Sequence, residues 1–291
     1  MNILKSLVPL CAAAALLAAC DYVSVPQQVG GPTGPSGGNG VAKRVLVEDY
    51  TGHFCNNCPR AAEEIHTLEA QYDSLIIPIA VHVGNFAWPA SLYGLPNGAP
   101  SNSFPMDFRT PEGNDWETFF QPFAFPVGMI NRYDYPNNHM LTVENWGGLV
   151  AQELAKPATA DIRISHTYNP TTRMLDVTIS GEMLRDTSGT FFMKTVITED
   201  SVYEWQLDSE LNPEYAPYYH SHMLRGAVDN PGSGWGDTAV AGIISAQTAF
   251  TRTYNNYQVN AAWNDTHCDI VTFIYDNNSK QVLQAAKKKL R

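Results

Sequence analysis

Val45-Leu46-Val47-Glu48-Asp49-Tyr50-Thr51-Gly52-His53-Phe54-Cys55-Asn56-Asn57-Cys58-Pro59 is an apolar run, a short turn and a Cys-x-x-Cys pair closed by proline. Residues 45–50 read as a buried strand. Residues 61–72 carry Ile65, Leu68 and Tyr72 on one face at helical spacing. The pair therefore stands between a strand and the opening turn of a helix. Unpaired backbone N–H groups and the helix dipole there favour a thiolate, which makes a cysteine nucleophilic. Residues three apart at a helix start can also close a short disulfide. Cys55 is expected as the attacking thiol and Cys58 as the resolving one.

The same motif serves zinc sites and structural bridges. Zinc would need two further ligands from His53, His66 or His82, and their spacing matches no familiar cluster. Copper(I) held by the two thiolates and one histidine, with His82 placed to point toward them, is slightly favoured over zinc, and copper handling stands as a distant third function. No metal or other cofactor is expected.

Outward from the motif, residues 75–83 (LIIPIAVHV) form a nearly continuous apolar run, as in a strand covered on both faces. Residues 84–125 are rich in aromatics and proline, with one helix expected near 114–120. A strand is expected over 126–132. A helix is expected over 142–154, with Thr142 as its N-cap and Glu144 in its first turn. That order of elements predicts an α/β layer domain over 42–156.

Beyond Lys156-Pro157 the pattern turns to short strands: 162–168, 174–183, 191–198, 242–246, 250–254, 269–275 and 282–286. An all-β, immunoglobulin-like sandwich is expected over 157–291, interrupted by a loop-rich segment over 208–237. His220 and His222 alternate, so on one strand they share a face. They lack an evident third metal ligand, and packing among aromatics is their expected role. Cys268 lies in a strand-like run and reads as a small buried hydrophobe.

The first 19 residues read as an export signal. Lys5 supplies the positive start, and the apolar run over 7–17 is too short to span a bilayer. Leu17-Ala18-Ala19-Cys20 places small residues before a cysteine, which predicts cleavage and lipidation of Cys20 and hence a membrane partner. Residues 20–41, rich in glycine and proline, read as a tether. A net charge of −11 gives no basic face for nucleic acid.

Residues 44–154 resemble the thioredoxin superfamily in the Cys55/Cys58 pair, the strand before it, and Pro126. The resemblance implies that Pro126, after Phe125, forms a cis bond and starts a strand facing the dithiol. It implies that the backbone beside Pro126 pairs with an extended substrate. It also implies that Asp49, six residues before Cys55, is the buried acid that handles a proton. Phe54 stands where that family has tryptophan, so Phe54 and Phe125 are the expected substrate-contacting side chains. Two departures stand out. Asn56-Asn57 replaces Gly-Pro between the cysteines. Pro59 biases Cys58 away from helical angles, which predicts a later helix start. His53 is expected to be an exposed loop histidine.

The segments VEDYTGHFCNNCP, FPVGMINR, YYHSHMLRG and IVTFIYDNNSKQVLQAAKKKL resemble a narrower group. This is the Bacteroidota outer-membrane lipoprotein family named for a surface protein of roughly twenty-eight kilodaltons. The resemblance implies an outer-membrane address. Two functions follow as expectations. The first is thiol-disulfide exchange with exported protein thiols. The alternative is a binding or adhesion lipoprotein that meets an extracellular partner and uses the thioredoxin-like domain as scaffold with a structural disulfide.

Overall fold

The computed structural model describes residues 40–291. The expected export signal, the Cys20 anchor and the tether up to residue 39 lie outside the described residues. The architecture is mostly β-sheet with some helices. No helix among the described residues is long and apolar enough to cross a membrane.

The first half runs β1 (Val45–Thr51), α1 (Pro59–Tyr72), β2 (Ile76–His82), a four-residue α2 (Ala90–Tyr93), α3 (Pro111–Phe120), β3 (Val127–Ile130) and α4 (Trp146–Leu154). β1 and β2 pair in parallel and β3 pairs antiparallel to β1. An isolated bridge joins Gly128 to Leu141. Parallel strands need a crossover, and α1 supplies it. Ala61, Ile65 and Leu68 of α1 pack with Val45, Val47, Ile76, Trp146 and Val150. Thr110 caps α3 by accepting from the Gly113 N–H at 3.0 Å, and Pro111 fits the first helical position. Thr142 makes no such cap. It precedes a single 3-10 turn, and α4 starts only at Trp146.

The second half runs β4 (Ala160–Asn169), β5 (Met174–Met183), β6 (Thr187–Glu199), β7 (Val202–Leu207), β8 (Tyr215–His220), β9 (Met223–Ala227), β10 (Asp237–Ile244), β11 (Ala249–Gln258), β12 (Cys268–Asp276) and β13 (Val282–Lys289). The segment expected to be loop-rich holds β8 and β9. β7, just before it, was also unforeseen.

One eight-stranded sheet follows the path β13-β12-β6-β9-β2-β1-β3, with β10 also on β6. It crosses the boundary expected between residues 156 and 157, so the two expected domains share a sheet. The link is narrow: Ala80 of β2 pairs with Met223 of β9, and the Ala80 N–H donates to His222 O at 2.8 Å. The sheet also curls back on itself, since the Val282 N–H of β13 donates to Asn131 O beyond β3 at 2.8 Å. β11-β5-β4 forms a separate sheet. Its Leu175, Val177, Ile179 and Phe250 share a core with Met193, Ile197, Ile270 and Ile274 of the large sheet. Cys268 is fully buried there, and burial pushes its thiol up to about 12.

Where the large sheet curls, Arg132 is wholly buried. It makes a two-pronged pair with Glu48 at 2.8 and 2.7 Å. Its guanidinium lies 4.8–5.4 Å from the rings of Trp116, Phe120, Phe273 and Tyr275. A buried charge needs such a partner. The pair ties β1 to the end of β3, and the aromatic rings bring in α3 and β12.

Candidate functional site

Cys55 and Cys58 form a disulfide. Cys58 stands as the residue before α1 with φ −72° and ψ −27°. The helix therefore begins at Pro59 rather than later. The preference imposed by a following proline is outweighed, because the Ala61 N–H donates to Cys58 O at 3.0 Å and Pro59 suits a first helical position.

The disulfide is covered. Cys55 is 4% exposed and Cys58 is 3% exposed. The cover is the β7–β8 ribbon, a two-stranded sheet of its own. Gln206 of β7 donates through Nε2 to Cys55 O at 2.9 Å and to Gly52 O at 3.5 Å. The Leu207 N–H donates to His53 O, and the Ser209 N–H to Asn56 O, each at 2.8 Å. Ribbon residues alternate between two faces. Gln206 and His220 point inward and are buried, whereas Tyr203 and Tyr219 point outward, 61% and 65% exposed, with ring centroids 5.0 Å apart.

Behind the disulfide lies a cavity of about 30 Å³ lined by Asp49, Cys58, His82, Gln206, Tyr218 and His220. Asp49 Oδ1, His82 Nδ1 and His220 Nε2 have no hydrogen-bond partner among the described residues. Burial raises the Asp49 carboxyl to about 8, so it is largely protonated at neutral pH. Burial likewise holds His82 well below its usual range and His220 down to about 3. Asp49 and Glu48 face opposite sides of β1: Asp49 meets this cavity and Glu48 meets Arg132.

Pro126 follows Phe125 through a cis peptide bond. The register pairs Tyr50 with Val127, so Pro126 sits at the end of β1 from which the Cys55 turn departs. Phe125 lies edge-on to Phe86 with centroids 5.5 Å apart. Phe54, expected at a substrate surface, is buried. Tyr93 and Phe104 stack on it at 4.3 and 4.5 Å. His53, expected in an exposed loop, is also buried, and its Nε2 donates to Trp88 O at 2.6 Å. Burial lowers it to about 4. It is neutral near pH 7 and puts no cation beside Cys55.

His220 and His222 do not share a face. The chain turns between β8 and β9, where His222 has φ 54°. His220 turns inward to His82 and Phe108, with ring centroids 5.5 and 5.1 Å away. His222 reaches the exposed side of α1, its Nε2 3.1 Å from Glu69 Oε2 and its Nδ1 3.1 Å from Asp200 Oδ1. Burial disfavours a charge on His222, yet the hydrogen bonds to Asp200 and Glu69 outweigh it and hold its pKa above the usual range. Gln206, Glu69 and Asp200 were not identified from the sequence. Gln206 meets Cys55 across 151 residues and Glu69 meets His222 across 153, while Asp200 meets His222 across 22 with the β7–β8 ribbon between them, and no local pattern carries that information.

The family model described as "Outer membrane protein Omp28" matches residues 114–291. No curated protein matches the chain. Among solved structures, HBP35 of Porphyromonas gingivalis is similar at TM-score 0.64 and 14% identity, covering 85% of this chain and 75% of that one. That likeness is one of fold. A domain of the outer membrane lipoprotein Omp28 from Porphyromonas gingivalis matches at TM-score 0.29 and 20% identity, over 45% of this chain and 88% of that one.

Proposed function

Since the chain belongs to the Omp28 family of outer membrane proteins, we propose that it is a lipid-anchored binding protein of the outer membrane in which the Cys55–Cys58 disulfide is a structural brace. One observation carries this reading: both cysteines are buried, 4% and 3% exposed, and Gln206 donates to the Cys55 carbonyl. A thiol that exchanges with other proteins needs access to them. We read residues 42–156 as a thioredoxin-like scaffold, supported by parallel β1 and β2, the α1 crossover, antiparallel β3 and the disulfide just before α1. We read 157–291 as an immunoglobulin-like sandwich, supported by β11-β5-β4 packing over β6 and β12. The outward rings of Tyr203 and Tyr219 offer a partner an aromatic surface. Cys20 supplies the anchor, so Cys20→Ser is expected to move the protein from the membrane fraction to the soluble one.

The test of the brace is reduction under native conditions. A structural bridge is expected to have a potential below roughly −300 mV and to resist glutathione. In cells, Cys58→Ala is expected to trap no mixed disulfide on Cys55. A potential near that of envelope oxidoreductases, together with trapped partners, establishes the second reading, thiol-disulfide exchange. That reading has its own support, because Asp49 shares a cavity with Cys58.

A further inference from the structure

We propose that His66, Glu69 and His222 form a binding site for one divalent transition-metal ion of the zinc type, oriented by Asp200. The site lies on the exposed side of α1, in a cleft apart from the disulfide.

The donor atoms already converge. His66, Glu69 and His222 each offer one donor atom, and these atoms all lie within 4.8 Å of one another. Glu69 Oε2 is 3.7 Å from His66 Nδ1 and 3.1 Å from His222 Nε2. Around zinc, with bonds of about 2.0–2.1 Å, tetrahedral ligand atoms stand about 3.3 Å apart. These contacts therefore bracket the spacing of a coordinated set. His66 and Glu69 are three apart on α1, which puts them on one helical face. His222 enters from the β8–β9 turn, whose left-handed backbone aims its ring away from that of His220.

The cleft is of mixed charge, with Asp200 and Asp269 beside Lys287, Lys288 and Lys289. The far nitrogen of His222 faces Asp200 Oδ1 at 3.1 Å. A carboxylate behind a ligating imidazole fixes its tautomer and raises its basicity. Lys287 lies 3.8 Å from Glu69 Oε1 and so occupies the oxygen turned away from the histidines. Lys289 does the same for Asp200 Oδ2 at 3.5 Å. Two imidazoles and one carboxylate leave a fourth position facing the cleft, open to water or a small anion.

The experiment is titration of the purified full chain, stripped with chelator, using zinc by calorimetry and cobalt by visible absorption. One ion per chain is expected, with an upward shift of the thermal midpoint. His66→Ala and Glu69→Gln are each expected to weaken zinc binding at least tenfold, and Asp200→Asn about tenfold. The His66 side chain is 56% exposed, so His66→Ala is expected to keep the thermal midpoint of the parent in chelator. That control separates a lost ligand from a lost fold. No saturation by millimolar zinc, or equal affinity in His66→Ala and parent, overturns the site. Unchanged affinity in Asp200→Asn overturns the orienting part.

Discussion

Gln206 donates its side-chain N–H to the main-chain carbonyl of Cys55 at 2.9 Å across 151 residues of sequence. The same amide reaches Gly52 O and Leu207 O. The β7–β8 ribbon is thereby held to the disulfide turn by groups buried on both sides. Gln206→Ala removes these bonds, while Cys55 O keeps the Cys58 N–H and Gly52 O keeps the Cys55 N–H, so the expected cost is about 0.5–1.5 kcal/mol. The expected readouts are a lower urea midpoint and faster reduction of Cys55–Cys58 by dithiothreitol. Unchanged reduction kinetics would show that the ribbon does not guard the disulfide.

The turn beneath the ribbon has no room for a side chain at Gly52. A Cβ there meets the backbone carbon and oxygen of Phe86 at 2.6 Å. The Phe86 carbonyl accepts from the Phe54 N–H at 2.9 Å, next to Cys55. Gly52→Ala is expected to push the segments apart and to cost about 1–3 kcal/mol. Denaturant titration checks the cost. A crystal structure of the variant with the Phe54–Phe86 bond kept would contradict the mechanism.

Arg132 and Glu48 test whether the centre of the curled sheet depends on a charge pair. Arg132→Met strands Glu48 as a buried, unpaired carboxylate, with an expected loss of about 3–5 kcal/mol. Combining Arg132→Met with Glu48→Leu removes both charges, and most of that loss is expected to return. Urea unfolding of the two single variants and the double gives the coupling. A double variant weaker than Arg132→Met refutes the account.

The cavity behind the disulfide sets two opposed pH dependences. Asp49 has a folded pKa raised to about 8 from 3.8. Between those values the unfolded chain releases the proton and the folded chain keeps it, so stability falls as pH rises and levels off above 8. Asp49→Asn is thus expected to stabilise, by more at pH 7.5 than at pH 4.5. His220 has a folded pKa lowered to about 3 from 6.5. The unfolded chain gains that proton first, so stability falls as pH drops from 6.5 toward 3. His220→Phe is expected to flatten that acid limb and to leave pH 7.5 less affected. Unfolding midpoints of both variants across pH 4–8 decide the signs.

Local pattern made part of this legible. β1, α1 and β2 followed from apolar run, helical spacing and apolar run. β12 and β13 followed from apolar runs flanking Asp276-Asn277-Asn278-Ser279. These elements bury one or both faces in a regular period, and the period is written in the chain. β7 and β8 were not legible. YEWQL and YAPYYH put Tyr203 and Tyr219 on the solvent side and Gln206 and His220 on the buried side, the reverse of an ordinary strand.

The sequence by itself determined that Cys55 and Cys58 stand between a strand and a helix, because that depends only on neighbours along the chain. The tertiary structure alone decided that the disulfide is covered, that His220 and His222 part company, and that Glu69 and Asp200 meet His222. Those outcomes rest on hydrogen bonds and burial between segments distant in sequence. Their partners are chosen by how the sheet curls, and no local periodicity records that choice.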